Sequence, residues 1–190
     1  SSNQCKSTFA THYSQRMQTY LVASVVGPDR PGIVHALSKS VCDAGCSMRD
    51  SRMALLGGHF CGQFLAQGNW NSIAKLEQSL PRVSTEMGLT VTLNRTELRS
   101  ETRLIPYCVE VLALERPGVM EEVTEFFTQR EIGVEDLYSS CYAAVQTGAP
   151  MFALTMTVGV PGDISIATLR NEFLELCDDL NLDAEMTVFK

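Results

Sequence analysis

Gly27-Pro28-Asp29-Arg30-Pro31-Gly32 sets a carboxylate and a guanidinium between two glycines, at the junction of an apolar run and an amphipathic one. The apolar run is Tyr20 to Val26, and the amphipathic stretch runs from Ile33 to Ala44. Asp29 is suited to cap the helix, because its carboxylate can accept bonds from the first free amides. Pro31 fits a first helical turn, where its missing N–H is no loss. Gly32 lets a ligand or another backbone come close. Bare amides at a helix start attract anions, carboxylates included. The same pattern also serves a well-capped helix that binds nothing. The turn returns as Leu114-Glu115-Arg116-Pro117-Gly118 after Cys108 to Ala113, with Glu115 86 residues beyond Asp29. Repetition at that spacing describes two copies of one unit.

Other chemistry finds less support. There is no Gly-x-Ser-x-Gly elbow for a serine hydrolase and no Gly-rich loop ending in Gly-Lys-Ser/Thr for a nucleoside triphosphate. No catalytic residue is assigned, and the chain is not expected to be an enzyme. Of His12, His35 and His59, the first lies in the N-terminal tail, and His35 falls on the first helix as a surface or interface residue. Cys42 and Cys46 lie four apart, with His35 and Cys61 nearby. They lack the four converging ligands of a zinc knuckle and read as packed thiols. No metal and no cofactor is expected. Glu121-Glu122 and Asp178-Asp179 read as solvated helix faces that could steer a basic partner.

The chain has 190 residues and a net charge of −7. A surface that tracks nucleic-acid phosphates needs a basic stripe, and none is visible, so direct nucleic-acid binding is not expected. No apolar run reaches the ~20 residues of a membrane helix, and no secretory h-region opens the chain. Seven cysteines, most of them inside apolar runs, fit reduced buried thiols and a cytoplasmic protein.

The elements that position the two turns follow from periodicity. In the first half, a strand from Tyr20 leads into a helix with Ile33, Val34, Leu37 and Val41 on one face, ended by Gly45. A strand through Met48, Met53 and Leu55 turns at Gly57-Gly58 into His59 to Ala66. A second helix carries Ile73, Leu76, Leu80 and Val83, and Pro81 should kink it or end it early. Leu89 to Leu93 closes the unit. The second half repeats this order. Its first helix carries Val119, Val123, Phe126 and Phe127 and ends at Gly133; its second carries Ile166, Leu169, Phe173, Leu176 and Leu180. The fold class is therefore α+β: two ferredoxin-like βαββαβ units, each a four-stranded antiparallel sheet with two helices on one face. We expect a disordered tail over 1–18, a first unit over 19–98, a linker over 99–104 and a second unit over 105–190. The uncovered sheet faces lead us to expect packing of the halves on each other or on a second chain, and hence a homo-oligomer.

The βαββαβ unit with Gly-x-Asp-Arg-Pro-Gly after its first strand resembles the ACT domain. Ala44-Gly45-Cys46, Asp50-Ser51-Arg52-Met53-Ala54 and Phe126 to Gly133 extend the resemblance to the tandem transcription repressors of that family. The resemblance implies regulation: a small amino acid, glycine among the candidates, bound beside the first-strand-to-first-helix turn, and control exerted through a transcription activator protein. It implies a site made by Gly27, Asp29, Arg30, Gly32 and Ile33, with Asp50 and Ser51 from the second strand. Amides near Gly32 and Ile33 would take the ligand carboxylate, and Asp29 or Asp50 its ammonium group. Glu115 in place of Asp, with no Gly-Pro before it, makes the second turn mainly structural. The alternative is an ACT-like interaction module that assembles without a metabolite.

Overall fold

The computed structural model describes residues 18–100 and 103–189, so the N-terminal tail and part of the linker lie outside the described residues. The chain divides between residues 100 and 101 into two compact units. The first runs β1 (Thr19–Pro28), α1 (Ile33–Asp43), β2 (Ser47–Leu56), β3 (His59–Gly68), α2 (Trp70–Glu86) and β4 (Thr90–Thr96). The second runs β5 (Leu104–Leu114), α3 (Val119–Thr128), β6 (Gly133–Ala143), β7 (Pro150–Pro161), α4 (Ile166–Asp179) and β8 (Asp183–Val188). The sheet orders are β2-β3-β1-β4 and β6-β7-β5-β8, with every neighbouring pair antiparallel. Each unit is thus the expected ferredoxin-like sheet with its two helices.

Alternation along the central strands sets the covered face. Leu21, Ala23 and Val25 of β1, with Phe60, Phe64 and Ala66 of β3, meet Ile33, Leu37 and Val41 of α1 and Ile73, Leu76 and Leu80 of α2. In the second unit Val109 and Val111 of β5 lie beneath Phe126 and Phe127 of α3 and Phe173 of α4. The three rings form a triangle with centroids 5.0–5.3 Å apart. Burying one such side chain contributes about 1.5–3 kcal/mol.

All four helices end alike. Gly45, Gly88, Glu131 and Asn181 take positive φ, and the next amide returns to a carbonyl five residues back: Cys46 to Val41, Leu89 to Ser84, Ile132 to Phe127 and Leu182 to Cys177. This is the Schellman closure. It corrects the expected stop at Gly133, since Glu131 holds the left-handed position that Gly45 holds in the first unit. The helix through Pro81 also departs from expectation. α2 continues to Glu86 because its buried side, Ile73, Leu76, Leu80 and Ser84, extends past the proline. Tertiary burial thereby outweighs the lost helical rung, itself worth ~3 kcal/mol.

Two burial expectations change. Val34 is half exposed, with Ser40 taking the fourth buried position of α1. Among the described cysteines, all free thiols, only Cys177 is buried, and Cys42 and Cys141 are exposed. Burial, with help from the neighbouring Asp178, pushes the Cys177 thiol up to about 11. No helix among the described residues is long and apolar enough to cross a membrane.

Gly27 owes its identity to packing. A Cβ there would lie 2.7 Å from the Gly88 carbonyl oxygen and 2.8 Å from Leu89 Cδ2. The closure after α2 presses on β1 at this point. Gly27→Ala should therefore destabilise the chain by about 1–3 kcal/mol, read as a lower urea midpoint at unchanged slope.

Candidate ligand corner at the β1–α1 turn

The turn is built differently from a side-chain-capped helix start. Gly32 itself is the N-cap, at φ 90° and ψ 0°, and no side chain caps the helix. Asp29 therefore does not cap α1, and Pro31 precedes the helix instead of occupying its first turn. The reason is backbone pairing: the Asp29 amide donates to the Gly58 carbonyl at 3.0 Å, which holds this residue to the β2–β3 hairpin. The left-handed Gly32 then redirects the chain into the helix, a conformation that disfavours any side chain. The first helical bond runs from the Ala36 amide to the Gly32 carbonyl. The amides of Ile33, Val34 and His35 are left as donors without an intrahelical partner.

The residues that carry these amides line a concavity of about 600 Å³. Asp29, Arg30, Gly32, Ile33, Val34 and His35 line one side of it. Met53, Ala54 and Leu55 of β2, with the buried Phe60, form the other. No described residue pairs with the exposed Arg30 guanidinium, and the first turn of α1 carries no acidic residue. The corner thus offers amides and a guanidinium to an anion, a carboxylate at its rim, and an apolar wall.

Of the residues expected at the site, Asp29, Arg30, Gly32 and Ile33 come together here, whereas Gly27, Asp50 and Ser51 do not line the concavity. Asp50 pairs in register with Leu65, which alternates with the buried Phe64 and Ala66, so it lies on the uncovered sheet face. There Arg52 hydrogen-bonds its carboxylate and holds it below the usual carboxylate range. Ser51 pairs with Phe64 on the helix-covered face but lies one pleat away from Met53. Both residues come from the resemblance; the register shift between Met48 and Asp50 turns Asp50 away from the helix-covered face and leaves Ser51 on it, too far along β2 to line the concavity. Sequence reasoning missed Val34, His35 and the Met53–Leu55 wall. The Gly57-Gly58 hairpin could have supplied the wall, because a two-residue loop sets Leu55 opposite Phe60.

The Cys42–Cys46 pair does not form a constellation. Cys42 is exposed, while Cys46 is partly buried, with burial raising its thiol. No group of three or more His, Cys, Asp or Glu side chains among the described residues could hold a metal ion.

The second turn keeps the backbone and changes the side chains. Gly118 has φ 93° and ψ −6°, and the Glu115 amide donates to the Pro150 carbonyl at 2.9 Å. Here, however, Arg116 forms a two-pronged bond with Glu122, at 3.1 Å and 2.7 Å. Glu122 is therefore engaged at the turn, not part of a simple solvated face, and Arg116 holds its carboxyl below the usual glutamate range.

Two βαββαβ units, each with a glycine-started helix behind its first strand, define a regulatory-module fold, and a family model for the ACT domain matches residues 19–94. The chain belongs to the ACT-domain family. It is 31% identical over 172 residues to the glycine cleavage system transcriptional repressor of Escherichia coli (strain K12), covering 90% of each protein, and equally so to that of Shigella flexneri. A crystal structure of a candidate glycine cleavage system transcriptional repressor superposes with a TM-score of 0.69 at 28% identity, over 92% of this chain and 99% of that one. A protein of unknown function from Galdieria sulphuraria shares the fold, with a TM-score of 0.73 at 22% identity over 91% of this chain and 99% of that one.

Proposed function

We propose that this protein is an amino-acid-sensing regulator of the glycine cleavage repressor type, which acts on transcription through a protein partner and not by touching DNA. In this reading a small amino acid seats at the β1–α1 corner. Its carboxylate meets the Ile33 and Val34 amides and the Arg30 guanidinium, and its ammonium group meets Asp29. Asp50 and Ser51 drop out of the contact set, and Gly27 serves the corner only by placing β1. Residues 19–98 form the sensing unit and residues 105–190 the second ACT unit of a cytoplasmic homo-oligomer. A transcription activator is the partner in this reading, and the net charge of −7 favours contact with protein over phosphate.

The observation that carries the reading is Arg30 beside three helix-start amides at an open concavity, none of them with a partner among the described residues. Titration calorimetry of the full chain against a panel of amino acids, glycine first, tests it. One binder at or below roughly millimolar concentration is expected. No heat from any amino acid at that concentration would overturn the sensing reading.

A further inference from the structure

The two turns carry the same backbone at an 86-residue spacing, as the pairs Asp29 and Glu115, Gly32 and Gly118, and Ala36 and Glu122 show. In each, the fourth helical residue donates to the left-handed glycine at 2.9 Å: Ala36 to Gly32, and Glu122 to Gly118. Two side chains of the first helical turn differ in kind, Glu121 standing where the first unit has His35 and Glu122 where it has Ala36, and the second of these reaches the turn. Ala36 leaves the first corner without a carboxylate, whereas Glu122 supplies one to the second. Glu122 engages both terminal nitrogens of Arg116, and its Oε1 lies 3.9 Å from where a Cβ on Gly118 would stand. The carboxylate therefore sits over the turn itself. The two-pronged bond takes the end-on edge of the Arg116 guanidinium, and Nη1 also donates to the Pro117 carbonyl at 3.3 Å, so the edge turned toward α3 is already occupied by Glu122.

We propose that Glu122 is a built-in carboxylate that occupies the second turn, so that each chain keeps a single open corner, and that removing Glu122 turns Arg116 and the α3 amides into a second carboxylate-binding site. The inference rests on the reading of the first corner for its ligand class: the position Glu122 fills in the second unit is the one an external carboxylate takes in the first. Glu121, also in the first turn of α3, adds charge that discourages anions while Glu122 is present.

Amide chemical shifts of the full 20.9 kDa chain read both corners separately. Acetate and glycine are titrated in parallel into the wild type, Glu122→Ala and the double variant Glu122→Ala/Arg116→Ala. In the wild type, Gly118, Val119 and Met120 should stay still. In Glu122→Ala the same amides should move and saturate at roughly millimolar acetate or glycine. The double variant should lose that response, and the dispersed spectrum itself reports that each variant is folded. Amides at Gly118 to Met120 that stay still in folded Glu122→Ala, or move equally in the wild type, would overturn the proposal. The amides of Gly32 to Val34 answer for the first corner. Their silence toward glycine would sink the sensing reading, while the acetate response at Gly118 to Met120 still decides the proposal.

Discussion

Arg30→Ala is expected to weaken the proposed amino-acid binding about tenfold to a hundredfold and to leave the unfolding transition in place. The estimate follows from the ~1.5–3 kcal/mol that a hydrogen bond to a charged group contributes, with the lower end favoured because the guanidinium is exposed. Arg30 has no partner in the described structure, so its removal strands no buried charge, and stability should change by less than ~0.5 kcal/mol. Calorimetry of wild type and variant at two salt concentrations checks both parts. The wild type should bind more weakly at high salt and Arg30→Ala should be less sensitive, since only the Asp29–ammonium attraction is left for salt to screen. A bulky residue at Gly32 is a poorer probe, because φ of 90° strains any L side chain there and confounds folding with binding. Arg116→Ala serves as the control. Its guanidinium is already satisfied by Glu122, so binding at the first corner should be unchanged.

Phe127→Ala destabilises the second unit by about 3–5 kcal/mol, the largest stability change expected from one substitution here. Phe127 is fully buried and meets Phe126 edge-on and Phe173 at a tilt, so truncation opens a void between α3, α4 and the sheet. Urea unfolding followed by far-ultraviolet circular dichroism shows the loss. Tryptophan fluorescence is the wrong reporter, because Trp70 is the only tryptophan and belongs to the first unit, stacked under Arg95 at 3.9 Å. A midpoint within error of wild type would mean that the aromatic triangle tolerates the vacancy, against the packing described above.

The repeated unit was legible because its signals are local and periodic. The apolar run of β1, the alternation of β7, the stripes of α1 and α4, and the glycines at 45, 57 and 88 each point to one structure. What misled was non-local. Pro81 speaks against a helix that buried contacts on both sides of it sustain. Asp29 is a good capping residue by type, but its amide is claimed by Gly58, a residue 29 positions away. Asp50 looks like a ligand group until the register shift in β2 turns it to the other face of the sheet. The contrast between Ala36 and Glu122 was present in the sequence and needed only the two halves laid together at their common spacing. What gives it meaning is the bonding of Arg116, which no spacing reveals.

The hydrogen bond from Asp29 to Gly58 ties the corner to the tip of the β2–β3 hairpin. A guest that draws the Arg30 segment inward pulls on the tip of the hairpin, and that tip is joined to β2, the outermost strand of its sheet. The rim of β2 carries backbone groups that no strand of its own sheet satisfies. In the proposed reading, a displacement that begins at one peptide would travel along the hairpin to this margin, where another polypeptide could add itself, so that a bound metabolite would bias the choice of neighbour.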